Sequence, residues 1–116
     1  MDKKTALDYR YLRMADIWAE NSYCARRKVG ALIVKDKRII SDGYNGTPSG
    51  FENVCEDEDG LTKPTLYVTD EPCIECAKLI IQAGIRRVVY MREYRLHAGL
   101  ELLRRAEIEV LHLPEP

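Results

Sequence analysis

Two cysteines separated by two residues, in Pro72-Cys73-Ile74-Glu75-Cys76, are the strongest chemical signal in this sequence. Pro72 suits the first turn of a helix, where its fixed φ fits and its missing N–H is not needed. At a helix N-terminus a Cys-x-x-Cys pair aims both sulfurs into one space, and the free backbone N–H groups and positive dipole end favour thiolates. Thiolates so placed suit Zn2+. Two other readings stand beside this one, a redox dithiol and a pair of buried structural cysteines. The thioredoxin-like redox pattern has an aromatic residue before its first cysteine; here that place is held by Pro72, so the zinc reading is preferred.

Two thiolates do not complete a zinc site, because zinc takes four ligands and a catalytic zinc takes three from the protein plus water. The remaining candidates are Cys24, Cys55, His97 and His112. His112 lies at the end of the chain's last apolar run, close to Pro114, and reads as a satisfied or exposed histidine. His97, in Leu96-His97-Ala98-Gly99, reads as a surface-loop histidine that could reach a metal. Arg26-Arg27-Lys28 is a local basic cluster, fit for a nucleotide-sized anion or equally for a solvated turn. The net charge of −1 argues against a domain that grips a nucleic-acid backbone.

The elements that must position these residues are legible from periodicity. Leu7, Tyr11, Met14, Ala15 and Trp18 recur at helical spacing and predict an amphipathic helix over roughly residues 4–21. Val29 to Val34 and Ile39 to Tyr44 are β-rich runs joined by Lys35-Asp36-Lys37-Arg38, which predicts an antiparallel hairpin with a four-residue polar turn. Leu66 to Thr69 is a third strand. A helix follows from Pro72, with Ile74, Ala77, Ile80 and Ile81 as its buried stripe and Gly84 as its left-handed cap. Arg87 to Met91 is a fourth strand, Leu100, Leu102, Leu103 and Ala106 mark a last helix, and Ile108 to Leu111 a fifth strand. The later β–α alternation is that of parallel crossovers, so a mixed five-stranded sheet covered by helices is expected.

At 116 residues, 46% hydrophobic and 32% charged, the chain fits one globular domain rather than a disordered segment. No apolar run is long enough to span a bilayer, and Met1-Asp2-Lys3-Lys4 leads into a polar helix without a secretory signal. A cytoplasmic location and no membrane partner are therefore expected, in a compartment where cysteines serve more often as ligands or core residues than as disulfides.

Residues 45–65 follow neither period, and so long a structureless connection is unusual inside a compact domain. Asn45-Gly46-Thr47-Pro48-Ser49-Gly50 is turn chemistry, and Cys55 to Lys63 is acidic and polar. Both later crossovers carry a helix; this one does not.

Arg27-Lys28-Val29-Gly30-Ala31, Ser41-Asp42-Gly43-Tyr44-Asn45-Gly46-Thr47-Pro48-Ser49-Gly50 and Pro72-Cys73-Ile74-Glu75-Cys76-Ala77 resemble the deoxycytidylate deaminases, within the cytidine deaminase-like superfamily. The likeness continues through Gly84 to Tyr90 and Gly99 to Arg105, and so covers nearly the whole chain. It implies a three-layer α/β/α sandwich, a cytoplasmic homo-oligomer, and Zn2+ held by Cys73 and Cys76. It also implies conversion of dCMP to dUMP and ammonia by attack of an activated water at C4 of cytosine. Arg26, Arg27 and Asn45 match positions that flank the nucleotide, the arginines being suited to a 5′-phosphate. In some members a deoxynucleoside triphosphate regulator binds near the Gly-Tyr-Asn-Gly run. Cys24 and Cys55 match, approximately, cysteines that in some members help hold a second, structural zinc; ordinary buried thiols are the alternative.

The resemblance also requires a His-x-Glu ahead of the cysteines, the His as third zinc ligand and the Glu as proton shuttle. No such triplet occurs anywhere in the 116 residues. Among the resembling proteins it opens a helix between the second and third strands, the helix missing here, which places the join near Thr62-Lys63-Pro64-Thr65. Three accounts follow: a segment outside these 116 residues, a deletion that leaves an inert scaffold, or a site rebuilt on His97. The last is the weakest, because Gly99 stands where the Glu would be and Glu75 lies elsewhere on its helix. The resemblance leads one to expect glycine before Ile108, where this chain has Glu107.

Overall fold

A computed structural model of the chain describes residues 1–22, 28–44 and 64–115. Cys24, Arg26, Arg27, Asn45 and Cys55 lie outside the described residues, as do Thr62 and Lys63 of the expected join. Eight elements follow in order: α1 (Lys3–Ala19), β1 (Gly30–Lys35), β2 (Arg38–Tyr44), β3 (Thr65–Asp70), α2 (Ile74–Gln82), β4 (Arg87–Arg92), α3 (Ala98–Arg105) and β5 (Glu109–His112). The strands form one sheet in the order β2-β1-β3-β4-β5. β1 is antiparallel to both β2 and β3, while β3, β4 and β5 are parallel. β2 and β3 therefore point the same way with β1 between them, so the chain must return across the sheet between them. The expected mixed five-stranded sheet with an N-terminal hairpin is the one observed. Among the described residues no helix is long and apolar enough to cross a membrane.

The hairpin turn is tighter than expected. Lys35 pairs with Arg38, which leaves only Asp36 and Lys37 in the turn, with φ of 53° and 61°. Two successive positive φ values match the right-handed twist of the flanking strands. Charge alone does not reveal this, because Lys35 and Arg38 look like turn residues and yet are paired.

Two cores lie on the two sheet faces. Leu12, Ala15 and Tyr11 of α1 pack on Leu32, Val34, Tyr67, Val89 and Met91. Ala77 and Ile80 of α2 and Leu100 and Leu103 of α3 pack on Ile33, Leu66, Val68, Val88 and Tyr90. These are the layers of an α/β/α sandwich. The buried face of α1 is turned from the predicted stripe: Asp8, Tyr11, Leu12, Ala15 and Ala19 face inward, while Met14 and Trp18 are exposed. The prediction followed large apolar side chains, whereas small alanines let the helix lie close to β1. Ile74 is likewise exposed on α2, where Ala77 and Ile80 carry the packing.

Asp8 is buried because it has a full set of partners. Arg87 donates to both its oxygens, at 3.0 and 2.7 Å, and the Tyr67 hydroxyl donates at 2.5 Å. Arg87 Nε also donates to Glu109 at 2.6 Å. Burial pushes the Asp8 carboxyl up, but the hydrogen bonds and charge of Arg87 and the Tyr67 bond outweigh it and hold it below the usual range. The same burial and the Asp8 carboxylate push the Tyr67 hydroxyl up.

Two positions after helices adopt the left-handed conformation. Gly84, with φ of 80°, closes α2 as predicted. Glu107, with φ of 62°, occupies the corresponding place after α3, the position where the resemblance called for glycine.

Candidate metal centre

β3 ends at Asp70, and Glu71-Pro72 carry the chain to α2, whose N-cap is Cys73. Cys73 is extended (φ −74°, ψ 172°), and its Sγ accepts the Cys76 N–H at 3.4 Å. The two sulfurs are 3.4 Å apart, and both cysteines are exposed. The expectation of paired thiols at a helix N-terminus, at the carboxyl end of a parallel strand, is thus realised in the geometry.

The two thiols differ. Burial pushes Cys73 up, but N–H groups of Cys76, Glu75 and Cys73 itself, with the Cys76 thiol, bring it below an ordinary thiol. Cys76 is pushed up to about 11, by burial first and then by its bond to Cys73 and the charge there. Loss of a proton from one sulfur thus makes loss of the second harder, and a bound cation would offset that cost.

Two contacts fix this turn. A Cβ on Gly99, near the start of α3, would stand 2.2 Å from the Pro72 carbonyl oxygen and 2.8 Å from the Cys73 carbonyl carbon. Only a residue without a side chain lets α3 lie against the cysteine-bearing backbone. Glu71, whose side chain is fully buried, accepts the Tyr94 N–H at 3.1 Å, and its other oxygen lies 2.8 Å from His97 Nδ1. Glu71 thereby ties the β4–α3 loop to the turn before Cys73. Neither Glu71 nor Gly99 was given a role on sequence grounds. A carboxylate between the end of a strand and a Pro-Cys turn, and a glycine in the first turn of the next helix, were the available signals.

A zinc ion held by two thiolates at about 2.3 Å in tetrahedral geometry sets the sulfurs about 3.8 Å apart. The observed 3.4 Å lies within a small side-chain rotation of that separation, so Cys73 and Cys76 fit two corners of such a site. Among the described residues no third His, Cys, Asp or Glu joins them. His97 stands in no such group, and its Nδ1 lies 2.8 Å from Glu71. His112 does not either, since its Nε2 bonds the Met91 carbonyl at 2.9 Å and its ring stacks on Tyr90.

A separate cleft of about 350 Å³ opens between the C-terminal part of α1 and the ends of β3 and β4. It is lined by Asp16, Ala19, Glu20, Lys28, Asp70 and Arg92 and contains neither cysteine. Arg92 is engaged there with Asp16 at 3.0 Å and Asp70 at 3.4 Å, and with Glu115 at 2.7 Å.

With the paired thiols and the sheet order in place, residues 5–92 match the family described as the cytidine and deoxycytidylate deaminase zinc-binding region. The chain belongs to this family. The deoxycytidylate deaminase of Mycobacterium phage D29 is 35% identical, over 74% of this chain and 94% of its own length. ComE operon protein 2 of Bacillus subtilis is 36% identical, over 86% of this chain and 67% of its own. The crystal structure of dCMP deaminase from cyanophage S-TIM5, in complex with dCMP and dUMP, superposes with a TM-score of 0.77. It is 33% identical, with 97% of this chain and 99% of that one covered. The matches to the phage D29 and Bacillus proteins run over 122 and 128 residues, each longer than the whole 116-residue chain, yet neither uses all of it. Both of these relatives therefore carry residues, within the matched stretch, that have no counterpart here. This family is described as a zinc-binding region, and the described residues bring two thiols, Cys73 and Cys76, side by side.

Proposed function

We propose that the protein serves zinc-dependent hydrolytic deamination of dCMP to dUMP and ammonia. The observation that carries the reading is the Cys73–Cys76 pair, 3.4 Å apart on the N-terminus of α2, in a fold that superposes on a deaminase bound to dCMP and dUMP. Cys73 and Cys76 would hold the zinc, which when bound supplies Lewis-acid activation of water. Glu71 and Gly99 keep the cysteine turn against α3. Arg26 and Arg27 are assigned to the 5′-phosphate and Asn45 to the nucleotide, as the resemblance implies. A regulatory deoxynucleoside triphosphate near the Gly43–Gly50 run, a second zinc on Cys24 and Cys55, and assembly into a homo-oligomer belong to the same reading.

The third ligand and the proton-shuttling Glu are not among the 116 residues. The longer matched stretches of the relatives support a segment lost or lying outside this sequence, and the resemblance puts it between β2 and β3. The 116-residue form is then a scaffold that does not turn over dCMP. A second reading, an inactive nucleotide-binding or oligomerisation module, rests on that same absence. The test is an intact mass set against 13.4 kDa, followed by zinc analysis and an assay of dCMP-dependent ammonia release on the same sample. At 13.4 kDa, well under one tightly held zinc and no turnover are expected. A full equivalent of zinc that survives Cys24→Ser and His97→Ala, or zinc-dependent turnover by that mass, would overturn the assignment of an incomplete site.

A further inference from the structure

Among the described residues α1 is the outer layer of its sheet face, held on the strands by Tyr11, Leu12 and Ala15. The outward side of such a surface helix is ordinarily polar. Here it carries Met14, Ile17 and Trp18, at 44, 63 and 39% exposure, which three- and four-residue spacing makes neighbours on the helix surface. Charge of opposite sign stands at the two ends of this patch: Arg10 and Arg13 are exposed on its N-terminal side and Glu20 on its C-terminal side. An apolar patch with a polar rim marks an interaction site, and the charges select the occupant. We propose that the Met14–Ile17–Trp18 patch of α1 is an isologous contact with the α1 of a second copy of this chain, packed antiparallel about a two-fold axis.

The spacing of these residues fixes both the occupant and its orientation. About a two-fold axis midway between Met14 and Ile17, Met14 lies level with the partner's Ile17. Met14 is also within one residue's rise, about 1.5 Å along the axis, of the partner's Trp18. Arg13 and Glu20 are seven residues apart, two turns, so both lie on one flank of α1. The axis brings that flank against itself. Arg13 then stands within about 3 Å, along the axis, of the level of the partner's Glu20, and the pair is made twice. A parallel arrangement would instead set the basic end of one helix against the basic end of the other, which costs affinity. A face that is apolar at its centre and of opposite charge at its two ends is self-complementary, as an isologous contact requires. This contact gives a face and an orientation to the homo-oligomer of the deaminase reading, and it rests on that reading only for the expectation of assembly.

The experiment is sedimentation velocity of the full 116-residue chain from low to high micromolar concentration, with far-UV circular dichroism to check that each variant keeps its helices. The unaltered chain should self-associate. Ile17→Glu should lower the assembled mass, or raise the dissociation constant about tenfold or more, as loss of a central contact does. Arg13→Glu and Glu20→Arg should each weaken association severalfold, and Arg13→Glu/Glu20→Arg, which reverses the pair, should recover most of that loss. Recovery requires residues 13 and 20 to meet across two copies, so an oligomer held by another face does not show it. If Ile17→Glu unfolds the chain, the charge series decides. A chain that stays monomeric throughout, association unmoved by Ile17→Glu, or a double variant no tighter than the single ones would each overturn the proposal. A melting temperature lowered by Ile17→Glu with association unchanged would show that another segment of this chain covers the patch, and would overturn it too. Neither zinc nor dCMP enters these readouts, so this contact and the deaminase reading fail separately.

Discussion

The two sides of β3 hold polar groups under opposite conditions. On the α1 side, Tyr67 and its partner Asp8 sit with Arg87 and Glu109 in a network whose donors and acceptors all come from this chain. Just past the carboxyl end of the same strand, Cys73 and Cys76 are exposed, and among the described residues only the two of them face the space between. The first cluster is complete and therefore can be buried; a half-satisfied ionic group there would destabilise the fold. The second is an exposed pair of thiols with no third metal-binding side chain beside it among the described residues. The contrast separates what this chain needs in order to fold from what it needs in order to act, and each can be broken without the other.

The largest effect expected is on activity. Protein of verified 116-residue mass should show no dCMP deamination, since general acid–base catalysis alone contributes about 10²–10⁴-fold and a ligand is missing as well. Splicing a helix bearing His-x-Glu between β2 and β3 should bring measurable ammonia release, while the stability of the α1 side stays unchanged.

Next comes the buried network. Asp8→Ala leaves Arg87 mostly buried with Glu109 as its remaining partner, and urea unfolding should show a loss of about 3 kcal/mol, the low end for a broken buried pair. Folded Asp8 titrates below the ordinary carboxylate range, so its contribution is full above that range and fades as pH falls through the folded value. The stability gap between the unaltered protein and Asp8→Asn should therefore close in acid and stay constant from pH 5 to 7. A gap that widened on acidification would sink this assignment.

A smaller loss is expected from Gly99→Ala, because the new Cβ meets the Pro72 and Cys73 backbone rather than a flexible side chain. About 1–3 kcal/mol of destabilisation should accompany a change in the alkylation rate of Cys73, which a purely distant effect would not produce. Smallest is Glu107→Gly, which relieves a left-handed residue and should stabilise by about 1 kcal/mol. Thermal melts of the two variants should move in opposite directions.

Much of the architecture was legible because it rests on local rules. The alternating runs of β1 and β2, the Pro72 start and Gly84 stop of α2, and the β–α alternation after β3 all follow from periodicity and caps. The placement of two thiols together at the start of α2 was legible for the same reason, since their spacing is local. What was not legible depends on partners far along the chain. Asp8 reads as a surface residue of an amphipathic helix until Arg87 is known to lie beside it. Glu71 reads as a loop acid until Tyr94 and His97 are folded over it. Met14 and Trp18 misled because hydrophobicity does not say how closely a helix can approach, and on α1 the close approach is made by Ala15 and Ala19.

The span of the Asp8–Arg87 pair, 79 residues along the chain, bears on the order in which the protein can assemble during synthesis. A nascent chain that has emerged only through β3 can close the hairpin, but α1 would then carry its carboxylate into the interior with no guanidinium to meet it. The first helix can pack on β1 and β3 at that stage, but Asp8 gains its guanidinium only when β4 joins the sheet. Because Arg92 reaches Asp16 from the other end of the same strand, 76 residues away, β4 secures α1 along its length in one event. A chain truncated before Arg87 would therefore keep the Asp8 carboxylate at the α1 face with only the Tyr67 hydroxyl to pair it, which weakens the hold of that helix on the sheet.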